Sequence, residues 1–285
     1  MPPGLFLFLN DMDYGPSLIG LAVGLLVGAT STGGGALLTP ALVLIAGVPA
    51  SIAIGSDVLI ASGMKLFGGG VYALRGQVHW PTVGRLAVGS IPGAALGISM
   101  LNRLPVSAID AYLTRGLGFV LMLAGAAVII RLTVGTRTHP TRSPRWSITV
   151  LIGFMTGVLV SMTSIGSGSL LLCALSLYYP LGATTIVGTD LMHALFLSSV
   201  ATVGHSMAGR VDVGLAAAVL IGAVPGVLIG ARLATAVPER ALRASLAAVL
   251  MAIGLQLVIF NAAPAQATPT TPITEEGDTS WIAAP

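Results

Sequence analysis

Hydrophobic residues fall along this chain in long blocks separated by short polar interruptions, near 17–47, 56–74, 82–101, 112–131, 147–179, 185–207, 213–234 and 242–261. A helix that crosses a bilayer needs roughly 20 apolar residues. Backbone groups in lipid must be satisfied within the segment or within a closed barrel. These blocks are too long, and alternate too little, for barrel strands, so they predict membrane-spanning helices. Two of them, 17–47 and 147–179, are too long for one plain helix, and each is interrupted by glycines, at Gly33-Gly34-Gly35 and at Gly166-Ser167-Gly168.

The polar remainder sets the domain boundaries. Residues 1–16 form an N-terminal segment without a basic start or a small-residue cleavage motif, which reads as part of the mature chain. Residues 132–146 carry Arg137, His139, Arg142 and Arg145 and read as a basic cytoplasmic linker between membrane regions 17–131 and 147–261. Residues 262–285 are rich in Pro, Thr and Ala, carry Glu275, Glu276 and Asp278, and read as a disordered tail.

The two membrane regions are copies of one another. At an offset of 133, residues 20–113 align with 153–246 without a gap, with about 27 identities in 94 positions. Thr30, Ser31, Gly33 and Gly35 match Thr163, Ser164, Gly166 and Gly168; Gly55 and Asp57 match Gly188 and Asp190; Pro92 and Gly93 match Pro225 and Gly226. Shared Ala/Gly/Leu composition yields scattered identities, not one register held through a Pro-Gly pair and an Asp in each half. Arginine counts choose between two topologies by the positive-inside rule. With inverted halves, nine arginines lie with the linker and three (Arg103, Arg115, Arg210) on the far side; with parallel halves the split is seven to five. The expected fold is therefore an all-α polytopic transmembrane bundle of two inverted-topology repeats, each opening with a glycine-broken hairpin segment.

Composition narrows the function classes. Only 8% of residues are charged against 55% hydrophobic, too few to solvate a globule of 285 residues, which excludes a soluble enzyme. A net charge of +3 is too small for a nucleic-acid surface, and the single cysteine, Cys173, excludes an intramolecular disulfide and a thiolate metal cluster. The only lysine, Lys65, sits within an apolar block, where a central ammonium costs about 2.5–3.5 kcal/mol to insert. It either balances a bound anion or forms a structural ion pair with Asp57 or Asp190.

The candidate binding residues follow. Thr30, Ser31, Gly33, Gly34 and Gly35, with Thr163, Ser164, Gly166, Ser167 and Gly168, surround two helix breaks. A helix restarting after such a break offers free N–H groups and the positive end of its dipole to an anion. Close packing of small residues is the bland alternative. Asp57 and Asp190 either cap the helices that follow them or couple an ion, and His193, three residues after Asp190, makes a conceivable proton relay. His205, near a helix end, is expected at the membrane interface.

With those residues in place, the chain resembles the sulfite exporter TauE/SafE family of membrane permeases. The resemblance rests on Gly20-x3-Gly24-x3-Gly28 running into Ser31-x-Gly33-Gly34-Gly35-x-Leu37-Leu38-x-Pro40. It continues through Gly47-x-Pro49-x3-Ala53-x-Gly55-Ser56 and Gly89-x2-Pro92-Gly93-x3-Gly97, and covers about residues 17–260. It departs from the family at Ser56-Asp57, where a Thr-Ser or Thr-Asn pair is usual, and at Ser167 and Cys173 in the second copy of the first motif. The resemblance implies two related halves in a cell membrane, no organic cofactor, and transport of small sulfur-containing anions such as sulfite, sulfonates or sulfoacetate. Coupling to protons or another ion through Asp57, Asp190 or His193 is open at this level. An anion channel is one alternative. An intramembrane hydrolase with Ser164, Ser167 or Ser169 as nucleophile and His193 or His205 as base is another, disfavoured because the first copy has Gly34 and Ala36 where the second has Ser167 and Ser169.

Overall fold

The computed structural model describes residues 14–30, 35–134, 144–233 and 239–259, and all regular structure among them is helical. Ten helices follow in order: α1 Tyr14–Thr30, α2 Gly35–Leu44, α3 Ala50–Leu74, α4 Trp80–Arg103, α5 Val106–Val134, α6 Trp146–Thr163, α7 Leu170–Tyr178, α8 Ala183–Met207, α9 Val213–Leu233 and α10 Glu239–Ile259. Six of the described helices are long and apolar enough to cross a membrane. Large apolar side chains such as Leu66, Phe67, Leu74, Phe119 and Leu228 point outward on them, the arrangement that lipid contact demands. The N-terminal segment, most of the basic linker and the tail lie outside the described residues.

The second overlong segment is split where its glycines sit, into α6 and α7 on either side of 164–169. The first is described as two helices, α1 and α2, which flank residues 31–34. At a rise of 1.5 Å per residue, the 10 residues of α2 and 9 of α7 reach only about 15 Å and cannot cross a 30 Å core alone.

The repeat survives in three dimensions at the same offset. Helices α3 and α8 each have 25 residues and start 133 positions apart. A Cβ placed on Gly20 of α1 would lie 2.2 Å from the Val219 carbonyl oxygen of α9; its equivalent, Gly153 of α6, meets the Leu86 carbonyl oxygen of α4 at the same 2.2 Å. Gly55 and Gly188 press in the same way on the carbonyls of Arg210 and Gln77. Ser56 Oγ accepts the Asp212 N–H at 3.0 Å, and Thr189 Oγ1 accepts the His79 N–H at 3.0 Å. Each is a contact between the halves, made twice.

Those contacts also reveal how the halves interlock. The first helix of each half packs along the fourth helix of the other: α1 on α9 and α6 on α4. In both pairs the contacts ascend together, Gly20 and Gly24 with Val219 and Ala223, Gly153 and Gly157 with Leu86 and Ser90, so the partners run parallel. The equivalent helices α3 and α8 pack on each other in the opposite sense, since Gly55 meets Arg210 while Gly69 meets Leu191 and Met192. So do α5 and α10, where Gly118 meets Gly254 and Gly125 meets Met251.

The largest buried apolar cluster draws on both halves, with Leu38, Leu42, Ile60, Leu117 and Leu121 from the first and Val219, Leu250 and Leu257 from the second.

Candidate functional site

The second break is the most irregular described stretch of backbone. Helix α6 stops at Thr163, and Ser164 adopts a left-handed conformation at φ 59°, the only described non-glycine residue to do so. Gly166 (φ 137°) and Gly168 (φ 92°) follow, conformations that glycine alone visits freely. A left-handed serine held in a membrane interior is strained, and such strain gathers at functional positions. The Thr163 hydroxyl is committed locally, donating to Leu159 O at 2.7 Å and accepting the Ile165 N–H at 3.3 Å. It shapes the break rather than facing a ligand.

Around this break the chain gathers its buried polar groups. Lys65 of α3, 6% exposed, donates from Nζ to Ser167 Oγ at 2.9 Å. The Gly168 N–H, at the positive start of α7, donates to Asp190 Oδ1 at 3.3 Å. Asp57 Oδ2 accepts a short hydrogen bond from Thr39 Oγ1 of α2, and the Ser164 hydroxyl lies beside the same carboxylate. Both Asp57 and Asp190 act on the Lys65 ammonium, which in turn acts on His193. His193 is fully buried, with Nε2 at 2.9 Å from Ser90 Oγ of α4. Six elements from both halves meet at one polar core.

Three positions differ from expectation. Asp57 and Asp190 are the eighth residues of their helices, not members of a first turn. Asp190 instead reaches across to the start of α7, so the N–H pole offered by that break already holds a carboxylate of the protein itself. His205 is buried at 1% exposure, donating from Nε2 to the Ser161 carbonyl at 2.8 Å. It is buried as a brace between α8 and α6 and not exposed at the protein surface. Neither His193 nor His205 hydrogen-bonds Ser164, Ser167 or Ser169 among the described residues, so the serine–histidine pairs considered above are not formed among them.

The matching halves, the two split segments and the charged core in an apolar bundle fit the family to which the sequence was likened. The family model for the sulfite exporter TauE/SafE matches residues 17–257. The chain belongs to the TauE/SafE family. It is 39% identical over 249 residues to the probable membrane transporter protein YjnA of Bacillus subtilis (strain 168), covering 85% of this chain and 98% of that one. A second relative, a probable membrane transporter protein of Xylella fastidiosa (strain Temecula1 / ATCC 700964), is 34% identical over 114 residues, covering 39% of this chain and 43% of its own. No solved structure matches the chain. As a TauE/SafE protein with six long apolar helices, it is a multi-pass membrane transporter of the cell membrane.

Within this TauE/SafE chain the structure brings together Lys65, Ser164, Ser167, Gly168, Asp57, Asp190 and His193. Thr30 closes α1 and Gly35 opens α2. Ser31, Gly33 and Gly34 lie outside the described residues. Sequence reasoning missed Thr39 and Ser90. Both are hydroxyls in apolar helices that change to apolar residues at the repeat offset, Leu172 and Ala223. An unmatched hydroxyl in otherwise duplicated helices was the available signal.

Proposed function

We propose that this transporter moves a small sulfur-containing oxyanion, such as sulfite, a sulfonate or sulfoacetate, and binds it at the core centred on Lys65. The observation that carries this reading is the Lys65 ammonium itself. It is buried between the second break and α8, and one of its three donors is committed, to Ser167. The remaining donors suit an oxyanion better than any backbone group nearby, since the Gly168 N–H is already engaged by Asp190.

The antiparallel packing of α3 on α8 and of α5 on α10 supports an inverted relation of the two halves, with the pseudo-twofold axis in the membrane plane. Interpolating the α3–α8 contacts places Lys65 near its repeat equivalent, Ser198, where the two helices cross. A single charge near such an axis is related alike to both faces of the membrane, which suits alternating access. Because α1 rides with α9 and α6 with α4, the moving bodies are helix pairs drawn from both halves. Two sequence halves rocking as separate blocks would tear these contacts.

The test is flux of sulfite, sulfoacetate, taurine, thiosulfate and sulfate in proteoliposomes. Lys65→Ala is expected to lower uptake of the favoured anion by at least tenfold, and Ser31→Ala combined with Ser164→Ala to weaken its apparent affinity. Uptake unchanged by both sets of substitutions removes the site assignment, and currents far above carrier turnover select a channel.

A further inference from the structure

The polar core holds two carboxylates, Asp57 and Asp190, against one ammonium, Lys65. Asp57 Oδ1 and Ser164 Oγ are both buried, the serine hydroxyl lies against the Asp57 carboxylate, and beyond that contact neither atom has a hydrogen-bond partner among the described residues. Its repeat equivalent Asp190 has the Gly168 N–H on Oδ1; Asp57 Oδ1 has no such donor. Two carboxylates, Asp57 and Asp190, share one ammonium, Lys65, and that ammonium is tied past the break to Ser167.

The local dipole points the same way. Ser164 follows directly on the last turn of α6, where backbone carbonyls lack intrahelical partners and the helix end carries partial negative charge. Two carbonyls of that turn are engaged, Val160 O by the Ser164 N–H and Ser161 O by His205 Nε2. Together with the Asp57 carboxylate, this pole attracts a small cation. In broken-helix transporters, unwound backbone and half-helix C-terminal ends are where alkali cations are held. The groups facing the spot are the Asp57 carboxylate and the Lys65 ammonium from α3, Asp190 and His193 from α8, and the hydroxyls of Thr39 from α2 and Ser164 from the break.

We propose that Asp57 Oδ1 and Ser164 Oγ, at the C-terminal pole of α6, bind a sodium ion beside the Lys65 core. The ion is coordinated by both oxygens and balances the second carboxylate. It thereby links sodium occupancy to the geometry of the break that holds Lys65 through Ser167. That the site drives anion movement rests on the transport reading above; that it binds sodium does not.

The experiment is thermal unfolding of the purified full-length protein in detergent, without any anion substrate, in sodium, potassium or choline chloride at equal ionic strength. Sodium is expected to raise the apparent unfolding temperature saturably, and choline to leave it unchanged, because a ligand of the native state stabilises it. Ser164→Ala should raise the half-saturating sodium concentration about tenfold or more, and Asp57→Asn should abolish the sodium effect. Thr149→Val, which removes the bond to Tyr179 elsewhere in the bundle, should keep it. Equal stability in sodium and choline overturns the site, as does a sodium effect that both Ser164→Ala and Asp57→Asn leave intact. Stabilisation that follows proton concentration alone and is mimicked by Asp57→Asn also overturns it, because a proton then occupies the carboxylate. Should Asp57→Asn fail to fold, the shift caused by Ser164→Ala decides alone. Absence of anion flux by the unsubstituted protein, with sodium binding intact, would sink the transport reading and leave this site standing.

Discussion

Ser164 concentrates the chemistry of the break in one side chain. Its φ of 59° puts an L-residue where steric contact between Cβ and the backbone costs about 1–2 kcal/mol. Its repeat equivalent, Ser31, shows that a serine stands at the corresponding point of both breaks. Glycine would hold this backbone with less strain, so the hydroxyl is what the strain maintains. Ser164→Gly is therefore expected to raise the apparent unfolding temperature by a few degrees, of the order of 1 kcal/mol, in the absence of sodium. Ser164→Ala keeps the strain and should give no such rise. Both should lower transport. A calorimetric or fluorescence melt of the two variants beside a flux assay separates the roles; a glycine variant that transports normally would show that the hydroxyl is dispensable.

At the scale of elements, the glycines divide into those that fit helices together and those that merely thin them. A Cβ at Gly24 would sit 2.5 Å from the Ala223 carbonyl oxygen, and one at Gly157 would sit 2.2 Å from that of Ser90. Neither backbone can retreat without separating the pair, so Gly24→Ala and Gly157→Ala are both expected to destabilise, and to similar degrees. Gly70 and Gly84 meet nothing within 4 Å, so Gly70→Ala and Gly84→Ala should be neutral or stabilising by up to about 1 kcal/mol, the helix-propensity difference. Thermal unfolding of the four variants tests this, and matched losses at all four would refute it. Much of this architecture was legible in the sequence: the described break falls where the glycines Gly166 and Gly168 stand, and α3 and α8 repeat at the offset of 133. What could not be read is which element meets which. Self-similarity identifies Gly20 with Gly153 but is silent on the partner each presses against, because packing partners leave no mark on the residues they accept. For the same reason Asp190 reads as a cap for its own helix, whereas the folded chain turns its carboxylate onto the start of α7.

For the whole molecule, approximate symmetry with one charged exception is the organising fact. Lys65 and Ser198 are equivalent in sequence, stand on the antiparallel pair α3 and α8, and are both buried. On the interpolated register above, two lysines at these positions would repel each other in a low-dielectric interior, which favours a charge from one half alone. If position relative to the axis is what matters, the ammonium can be supplied from the other side. The single variant Lys65→Ser is expected to abolish transport, and the double variant Lys65→Ser with Ser198→Lys to recover a measurable part of it. Recovery will be incomplete, because the hydroxyl that steadies Lys65 is Ser167, and the first half has Gly34 in its place. A double variant no better than the single would show that the surroundings of Lys65, and not the axis, define the site.

The exchange of helices between the halves bears on how the protein is made. As the chain enters the membrane from its N-terminus, α1 arrives with its row of small residues facing a partner, α9, that has yet to be synthesised, and α4 likewise waits for α6. The first half therefore inserts with its intended contact surfaces open to lipid. It closes when α6 and α9 pack back against α4 and α1, so the first half completes its packing on helices synthesised after it.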